Sequence, residues 1–366
     1  MQIDRIELED FRSYARGSFE FSSGVNVITG ENAQGKTNLL ESIYLLTGAR
    51  SWRTRFDKEL IRFDSPQARI CAYIEAEGRN QKIEMLLRRG QRRKILKNGV
   101  SHTAAELSGT VNAVLFCPED LGIVREGAQA RRRFMDAALN QLRPQYAELT
   151  ARYSRLYEHK SAALRSAAER PDLLLPLDDI SDQMCALSAK IIRYRASFVR
   201  RLGERAAEIH SEFSGCREAL ELRYKTVSTV TDPFAPASEL YGQITEHQRA
   251  HRRAELESVS CLTGVHKDDI EIFLNGVPAR QFASQGQTRT AALSMKMAER
   301  LLFLEETGQP PLLLLDDVLS ELDEKRQEFV LNRVGGGQTF ITCCEGAEIA
   351  RRTGGRVLTI VKGGDG

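Results

Sequence analysis

A phosphate-binding loop lies near the start of the chain, Gly30-Glu31-Asn32-Ala33-Gln34-Gly35-Lys36-Thr37, and an apolar strand ending in acid lies near its finish, Leu312-Leu313-Leu314-Leu315-Asp316-Asp317. The two belong to one nucleotide site, yet Lys36 and Asp316 stand about 280 residues apart (316 minus 36). Both ends of the chain must therefore enter one sheet. Whatever lies between them is an insertion.

The loop follows the Walker A spacing for geometric and electrostatic reasons. Gly30 and Gly35 permit backbone angles that turn successive N–H groups inward, Lys36 reaches outer phosphates and the Thr37 hydroxyl ligates magnesium. Val25, Val27 and Ile28 predict a short buried strand before the loop, and Leu39, Leu40, Ile43, Leu45 and Leu46 a helix after it. Strand, loop and helix N-terminus together are what a phosphate-binding loop requires.

Composition limits the function classes. With 366 residues, 42% hydrophobic and 28% charged, the chain can bury a full core and divide into about two domains. No apolar run approaches the roughly 20 residues needed to span a bilayer, and Met1-Gln2-Ile3-Asp4-Arg5 does not open a secretion signal, so a soluble, cytoplasmic protein without a membrane partner is expected. Seven cysteines without Cys-x-x-Cys spacing read as reduced structural thiols. A net charge of +2 means that nucleic acid would have to be held by local patches.

Residues 1 to about 123 read as strand-rich. Asn98-Gly99 and Asn275-Gly276 are hairpin-turn signals, and the first follows a basic run, Arg88, Arg89, Arg92, Arg93, Lys94 and Lys97. From about 125 to 260 the pattern becomes helical. Tyr146, Leu149, Tyr153 and Leu156 form one seam and Ile180, Met184, Leu187, Ile191, Tyr194 and Phe198 another, predicting two antiparallel helices reversed near Pro171 and Pro176. Asp232-Pro233 and Pro236 precede a third.

The continuous apolar run Leu312–Leu315 predicts a parallel strand buried on both faces. At its end Asp316 is placed to hold magnesium and Asp317 to orient or deprotonate the attacking water, although Asp317 also reads as a helix cap. Ser320-Glu321-Leu322-Asp323 reads as a capping box. Ser284-Gln285-Gly286-Gln287, ahead of a helical run from Thr288 to Leu304, is an ordinary N-cap taken singly and an anion site in the right company.

In order, the four elements resemble the ATP-binding-cassette (ABC) head, in which the serine motif of one subunit closes on ATP held by another. The wording Gly30-Glu31-Asn32 through Lys36-Thr37-Asn38-Leu39-Leu40-Glu41 is similar to the SMC, Rad50 and RecF group. Leu8-Glu9-Asp10-Phe11-Arg12-Ser13-Tyr14, Phe116-Cys117-Pro118-Glu119-Asp120-Leu121, Arg131-Arg132-Arg133-Phe134-Met135-Asp136 and Gly264-Val265-His266-Lys267-Asp268-Asp269 resemble the RecF family in particular. The resemblance implies an α/β ABC-ATPase head assembled from residues 1–124 and 262–366, with a mainly helical arm at 125–261. It implies ATP and Mg2+ as cofactors, with weak, DNA-stimulated hydrolysis. Lys36, Thr37 and Asp316 would hold nucleotide and metal, Asp317 would hydrolyse, Ser284 to Gln287 would act in trans, and Ser320 to Asp323 would be the D-loop. Its implied partners are double-stranded and gapped DNA, a second copy in an ATP-driven dimer, and RecR- and RecO-type mediators, in recombinational repair. The alternative is the cassette subunit of a membrane transporter.

Two departures from the family pattern stand out. Thr342-Cys343-Cys344-Glu345 occupies the region of the γ-phosphate sensor, and Lys267 stands where arginine is expected. His266 reads either as a turn residue or as a neighbour of nucleotide. Candidate DNA contacts are Arg88, Arg89, Arg92, Arg93 and Lys94, then Arg131, Arg132 and Arg133, then Arg249, Arg252 and Arg253, each with a solvated charged face as the plainer reading.

Overall fold

The computed structural model describes residues 1–76, 78–107, 109–166, 176–344 and 346–361. Along the chain run β1 (Gln2–Phe11), β2 (Tyr14–Glu20), β3 (Val25–Thr29), α1 (Lys36–Leu45), β4 (Gln67–Ala76), β5 (Arg79–Arg88), β6 (Lys94–Lys97), β7 (Val100–His102), α2 (Ala104–Leu107) and β8 (Ala113–Phe116). Then come α3 (Ala128–Leu142), α4 (Pro144–Ser166), α5 (Leu177–Ser214), β9 (Leu220–Lys225), α6 (Ala237–Ser258), β10 (Asp269–Leu274), β11 (Val277–Pro278) and α7 (Ala279–Phe282). The last are α8 (Gln285–Thr307), β12 (Leu312–Asp316), α9 (Glu324–Leu331), β13 (Thr339–Cys343), α10 (Ala347–Thr353) and β14 (Arg356–Thr359).

They form two compact units. The first joins Met1–Gly122 to Lys296–Gly366 and contains two sheets. Strands β14-β3-β13-β12-β8 lie side by side in that order, all parallel, and every residue of β3, β12 and β13 is buried. Continuous apolar strands are what a parallel sheet covered on both faces demands. The other sheet is antiparallel, in the order β2-β1-β4-β5-β6-β7, and alternates buried and exposed residues over much of its length. Gln338 fastens the two sheets together: its Oε1 accepts from Ile3 N at 2.7 Å, and its Nε2 donates to Ile3 O and Ser22 O, both at 2.8 Å. The Asn98-Gly99 turn forms as its sequence predicts, with φ of 51° and 82° at the two residues.

The second unit is Ile123–Met295. It contains α3 to α6 and a three-stranded antiparallel sheet in the order β11-β10-β9. The seam residues Met184, Leu187, Ile191 and Phe198 of α5 are buried as the heptad spacing predicts, and Tyr146 and Tyr153 of α4 with them. Pro176 caps the start of α5, and Pro171 lies outside the described residues. The expected boundary at 261/262 differs from the one found. Segment 262–295 groups with the helical unit because β10 pairs residue for residue with β9, from Asp269↔Lys225 to Leu274↔Leu220.

The family-like segment Gly264–Asp269 has a structural job in this unit. Arg195, nearly fully buried on α5, donates to Asp268 Oδ2 at 2.7 Å, Val265 O at 2.6 Å and Asp136 Oδ1 at 2.9 Å. An arginine buried this deeply persists only because every donor finds an acceptor. His266 is a turn residue here. Its Nδ1 lies 2.7 Å from the Tyr153 hydroxyl and its Nε2 lies 3.0 Å from Cys261 O, and burial pulls its pKa down to about 4.

The unfolded chain takes a proton on this histidine near pH 6.5 and the folded one only near 4. Its contribution is therefore fully present above pH 6.5 and falls away as pH drops towards 4, by up to about 3 kcal/mol. In denaturant unfolding at several pH values, the stability difference between the natural chain and His266→Gln should shrink steadily from pH 7 to pH 4. A difference independent of pH would contradict the assignment.

Candidate nucleotide site and basic surfaces

The site is built where β3 ends. Gly30 (φ 149°), Ala33 (φ 65°) and Gly35 (φ 113°) turn the loop through backbone conformations that side chains resist, and α1 starts directly at Lys36. A Cβ on Gly30 would lie 2.6 Å from Ile360 O, so glycine is required there by space as well as by angle. The buried Lys36 ammonium donates to Gly30 O at 2.5 Å and Glu31 O at 3.1 Å, which holds it within the curl of the loop. Gln34 accepts from Glu31 N at 3.1 Å through Oε1 and donates to the Glu31 carboxylate at 3.2 Å through Nε2.

The acidic strand arrives alongside. Thr37 Oγ1 donates to Asp316 Oδ1 at 2.9 Å, closing the separation of about 280 residues. Thr342, on the strand between β3 and β12, donates to the same oxygen at 2.9 Å. Burial pushes the Asp316 carboxyl up from its usual range, and the two hydroxyls oppose that shift. A carboxylate and a hydroxyl this close are hard oxygen donors of the kind that suits a small divalent cation. Asp317 follows in the left-handed region (φ 51°), and its N–H donates to Thr342 Oγ1 at 2.9 Å. Strained backbone of this kind costs about 1–3 kcal/mol and collects at functional sites.

The turn of the β1–β2 hairpin supports the loop from another side. Tyr14 donates to Gly35 O at 3.1 Å, and Asn38 Nδ2 donates to Ser13 Oγ at 2.9 Å. Arg12 grips Glu41 with two 2.8 Å hydrogen bonds, and Ser51 donates to the same fully buried carboxylate. Glu41, Tyr14 and Thr342 were not distinguished by the sequence reading. Only an acid on the apolar side of α1, among Leu40, Ile43 and Tyr44, hinted at the first. Cys344, in the region of the departed sensor, does face the loop: its thiol donates to Asn32 Oδ1 at 3.2 Å and lies 3.8 Å from Lys36 Nζ. Glu345 lies outside the described residues.

Ser284 caps α8. Its hydroxyl accepts from Gln287 N at 3.2 Å while Gln287 Oε1 accepts from Ser284 N at 2.8 Å, and Gln287 Nε2 donates to Glu218 at 2.8 Å. Ser284 and Gln285 remain exposed at the N-terminus of a 23-residue helix, the positive end of its dipole, which favours an anion. The expected capping box at Ser320–Asp323 forms differently. Ser320 donates to Asp317 O at 2.6 Å within a turn of 3-10 helix, and it is Asp323 that caps α9, accepting from Arg326 N at 3.0 Å.

The basic candidates separate sharply. Arg131, 3% exposed, is committed to Asp269 at 2.6 and 2.9 Å, and Arg132 donates to Asp268 O at 2.6 Å. Arg131 is thus buried and held by Asp269, whereas Arg132 is half-buried with one hydrogen bond to Asp268 O and Arg133 is exposed. Arg93 also has a structural task, gripping Asp57 at 2.7 and 2.9 Å and Ala49 O at 2.8 Å. Arg252 pairs with Asp178 at 2.7 Å and Arg253 with Glu257 at 2.7 Å. Arg88, Arg89, Arg92, Lys94 and Arg249 stay exposed.

A buried parallel sheet with a phosphate-binding loop on one strand and its acid two strands away defines a P-loop nucleotide-binding head of the SMC type. The family model described as RecF/RecN/SMC N terminal domain matches residues 2–351, and the chain belongs to that family, within its RecF branch. It is 37% identical over 346 residues to the DNA replication and repair protein RecF of Acetivibrio thermocellus, covering 94% of each chain. To that of Bacillus subtilis it is 37% identical over 344 residues, covering 93% of each. A solved structure of the recombination mediator protein RecF with ATPrS, in the RecFOR pathway, superposes with a TM-score of 0.92 at 31% identity, covering 99% of this chain and 97% of that one. The Smc head of Pyrococcus furiosus, at 14% identity and TM-score 0.54 over 98% and 94% of the two chains, shares the fold. The transporter alternative is not favoured by these relatives. No helix among the described residues is long and apolar enough to cross a membrane.

Replacing Thr342 by valine leaves the buried Asp316 carboxylate one hydroxyl short and the Asp317 N–H without its acceptor. The chain should lose about 1–3 kcal/mol in denaturant unfolding, while Thr342→Ser should stay close to the natural chain. Equal stability of the valine and serine variants would remove Thr342 from this role.

Proposed function

We propose that the chain is an ATP-dependent DNA-binding switch of recombinational repair, whose two nucleotide half-sites meet only when two copies pair. The observation that carries the proposal is the 2.9 Å hydrogen bond from Thr37 to Asp316, which unites the loop with its acid. The RecF relatives, one of them solved with ATPrS, support ATP as the nucleotide. Thr37 and Asp316 would hold Mg2+, which when bound neutralises charge on the outer phosphates. Lys36 and the loop N–H groups bind the phosphates, and Asp317, one residue beyond the metal-holding acid, orients or deprotonates the attacking water.

In this reading the exposed start of α8, Ser284 to Gln287, caps the γ-phosphate held by the other copy, and Ser320 to Asp323 lies beside it. A phosphate contacted from both sides stabilises the pair only while it remains attached, so hydrolysis acts as release. DNA near single-strand gaps, with RecO- and RecR-type mediators, is the setting in which such a grip would matter. The head is then made from both chain ends, and the helical segment forms a short arm.

Sedimentation of the full chain in ATP, in ADP and without nucleotide tests the proposal. Dimers are expected with ATP alone, and a mass indifferent to ATP would overturn it. Asp317→Asn should lower turnover by about 10²-fold or more while leaving ATP-driven pairing intact, as loss of one transition-state stabiliser does. A variant that hydrolyses ATP at the natural rate would take the catalytic role away from Asp317.

A further inference from the structure

Residues 50–63 form a connection between α1 and β4 that enters no motif, and its composition is peculiar. It carries Arg50, Arg53, Arg55, Lys58 and Arg62 against Asp57 and Glu59, with Trp52, Phe56 and Phe63 interleaved. Phe63 is 91% exposed and Phe56 51% exposed, in a chain that buries most of its large apolar groups. Arg55 and Lys58 lie over the Phe56 ring, at 5.8 and 5.4 Å from its centroid, while Phe63 offers its ring to solvent among basic side chains.

The segment is rigidly mounted on the basic hairpin. Arg93 grips Asp57 and Ala49 O, and Arg89 donates to Phe63 O at 2.9 Å and Ser65 O at 3.1 Å. Arg62 N donates to Asp10 O at 2.8 Å, and Leu60 O accepts from Arg12 N at 2.8 Å. Segment 50–63 and residues 88–94 thus share one surface of the first unit, with ten basic side chains against Asp57, Glu59, the adjoining Asp64 and Asp10, which lies 4.0 Å from Arg62, an excess of six on a chain whose net charge is +2. A recess runs from Ser13 and Asn38, beside the nucleotide loop, to Lys58, Phe63 and Arg89.

We infer that this surface is where the sugar-phosphate backbone of DNA docks, with Arg50, Arg55, Lys58 and Arg62 taking phosphates and Phe63 stacking on bases left unpaired beside a duplex. Charge complementarity selects a polyanion, and a phenyl ring among guanidinium groups suits the flat face of an unstacked base. The inference rests on the DNA-binding reading above and assigns its surface. It also divides the basic hairpin: Arg89 and Arg93 mount the surface, while Arg92 and Lys94 extend it. Arg53 connects the surface to the nucleotide loop, donating to Asn38 Oδ1 at 2.8 Å and lying 3.5 Å from Glu41.

The test measures binding of the full chain with ATP to a plain duplex, a gapped duplex and a single strand over a range of salt, using Arg50, Arg55, Lys58 and Arg62 replaced together by serine, and Phe63→Ala separately. Each lost phosphate contact lowers the salt slope on duplex by about 0.9, so the fourfold variant should show a slope smaller by about 3 to 4. Phe63→Ala should weaken binding by about tenfold on gapped and single-stranded DNA and leave plain duplex unchanged. An unaltered slope in the fourfold variant, with natural ATP-driven pairing, overturns the surface and leaves the DNA-binding reading standing. A natural chain that binds none of the three DNAs overturns that reading as well. Equal effects of Phe63→Ala on all three, or loss of binding to a mediator protein with DNA binding intact, overturn the stacking role.

Discussion

One carboxylate oxygen holds the nucleotide site in register. Asp316 Oδ1 accepts from Thr37, at the start of α1, and from Thr342, on the neighbouring strand. Because Asp316 is buried, leaving it unpaired would be costly, so the three strands that bring these residues together are fixed relative to one another at the place where phosphate chemistry needs them. Thr342 adds the Asp317 N–H to the same hydroxyl. The two acids thereby stand in different surroundings: one is enclosed among hydroxyls at the loop, while the other begins a left-handed turn out of the strand.

Much of this was legible in the sequence because phosphate binding dictates it. Glycines five apart followed by Lys36 and Thr37, and four leucines before Asp316, leave few structures open. What could not be read was anything set by strand register or by partners distant along the chain. Thr342 matters because β13 lies between β3 and β12, an order that no local pattern announces. Arg131 resembled its exposed neighbours until Asp269, 138 residues away, proved to be its partner. The grouping of 262–295 with the helical unit has the same origin: the pairing of β9 with β10 joins residues more than forty apart.

Basic residues in this chain do two kinds of work that composition does not separate. Arg12, Arg93, Arg131 and Arg195 are gripped by acids or carbonyls and shape the backbone around them. Arg50, Arg55 and Arg92 are exposed, where their charge acts on the surrounding solution rather than on the backbone. Exposure and pairing sort the two kinds. Neighbours in sequence, such as Arg92 and Arg93, fall on opposite sides of the division.

The sheet order has a consequence for how such a chain is made. β3, which carries the nucleotide loop, pairs on one side with β13 and on the other with β14, whose last residue is Thr359. A ribosome makes the loop roughly 300 residues ahead of both flanking strands, so the growing chain holds β3 unpaired until they follow. Such long-range pairing is slow to form and leaves strand edges open in the meantime. A product broken off before residue 339 would lack both neighbours of β3, and with them the strand order that brings Asp316 to the loop.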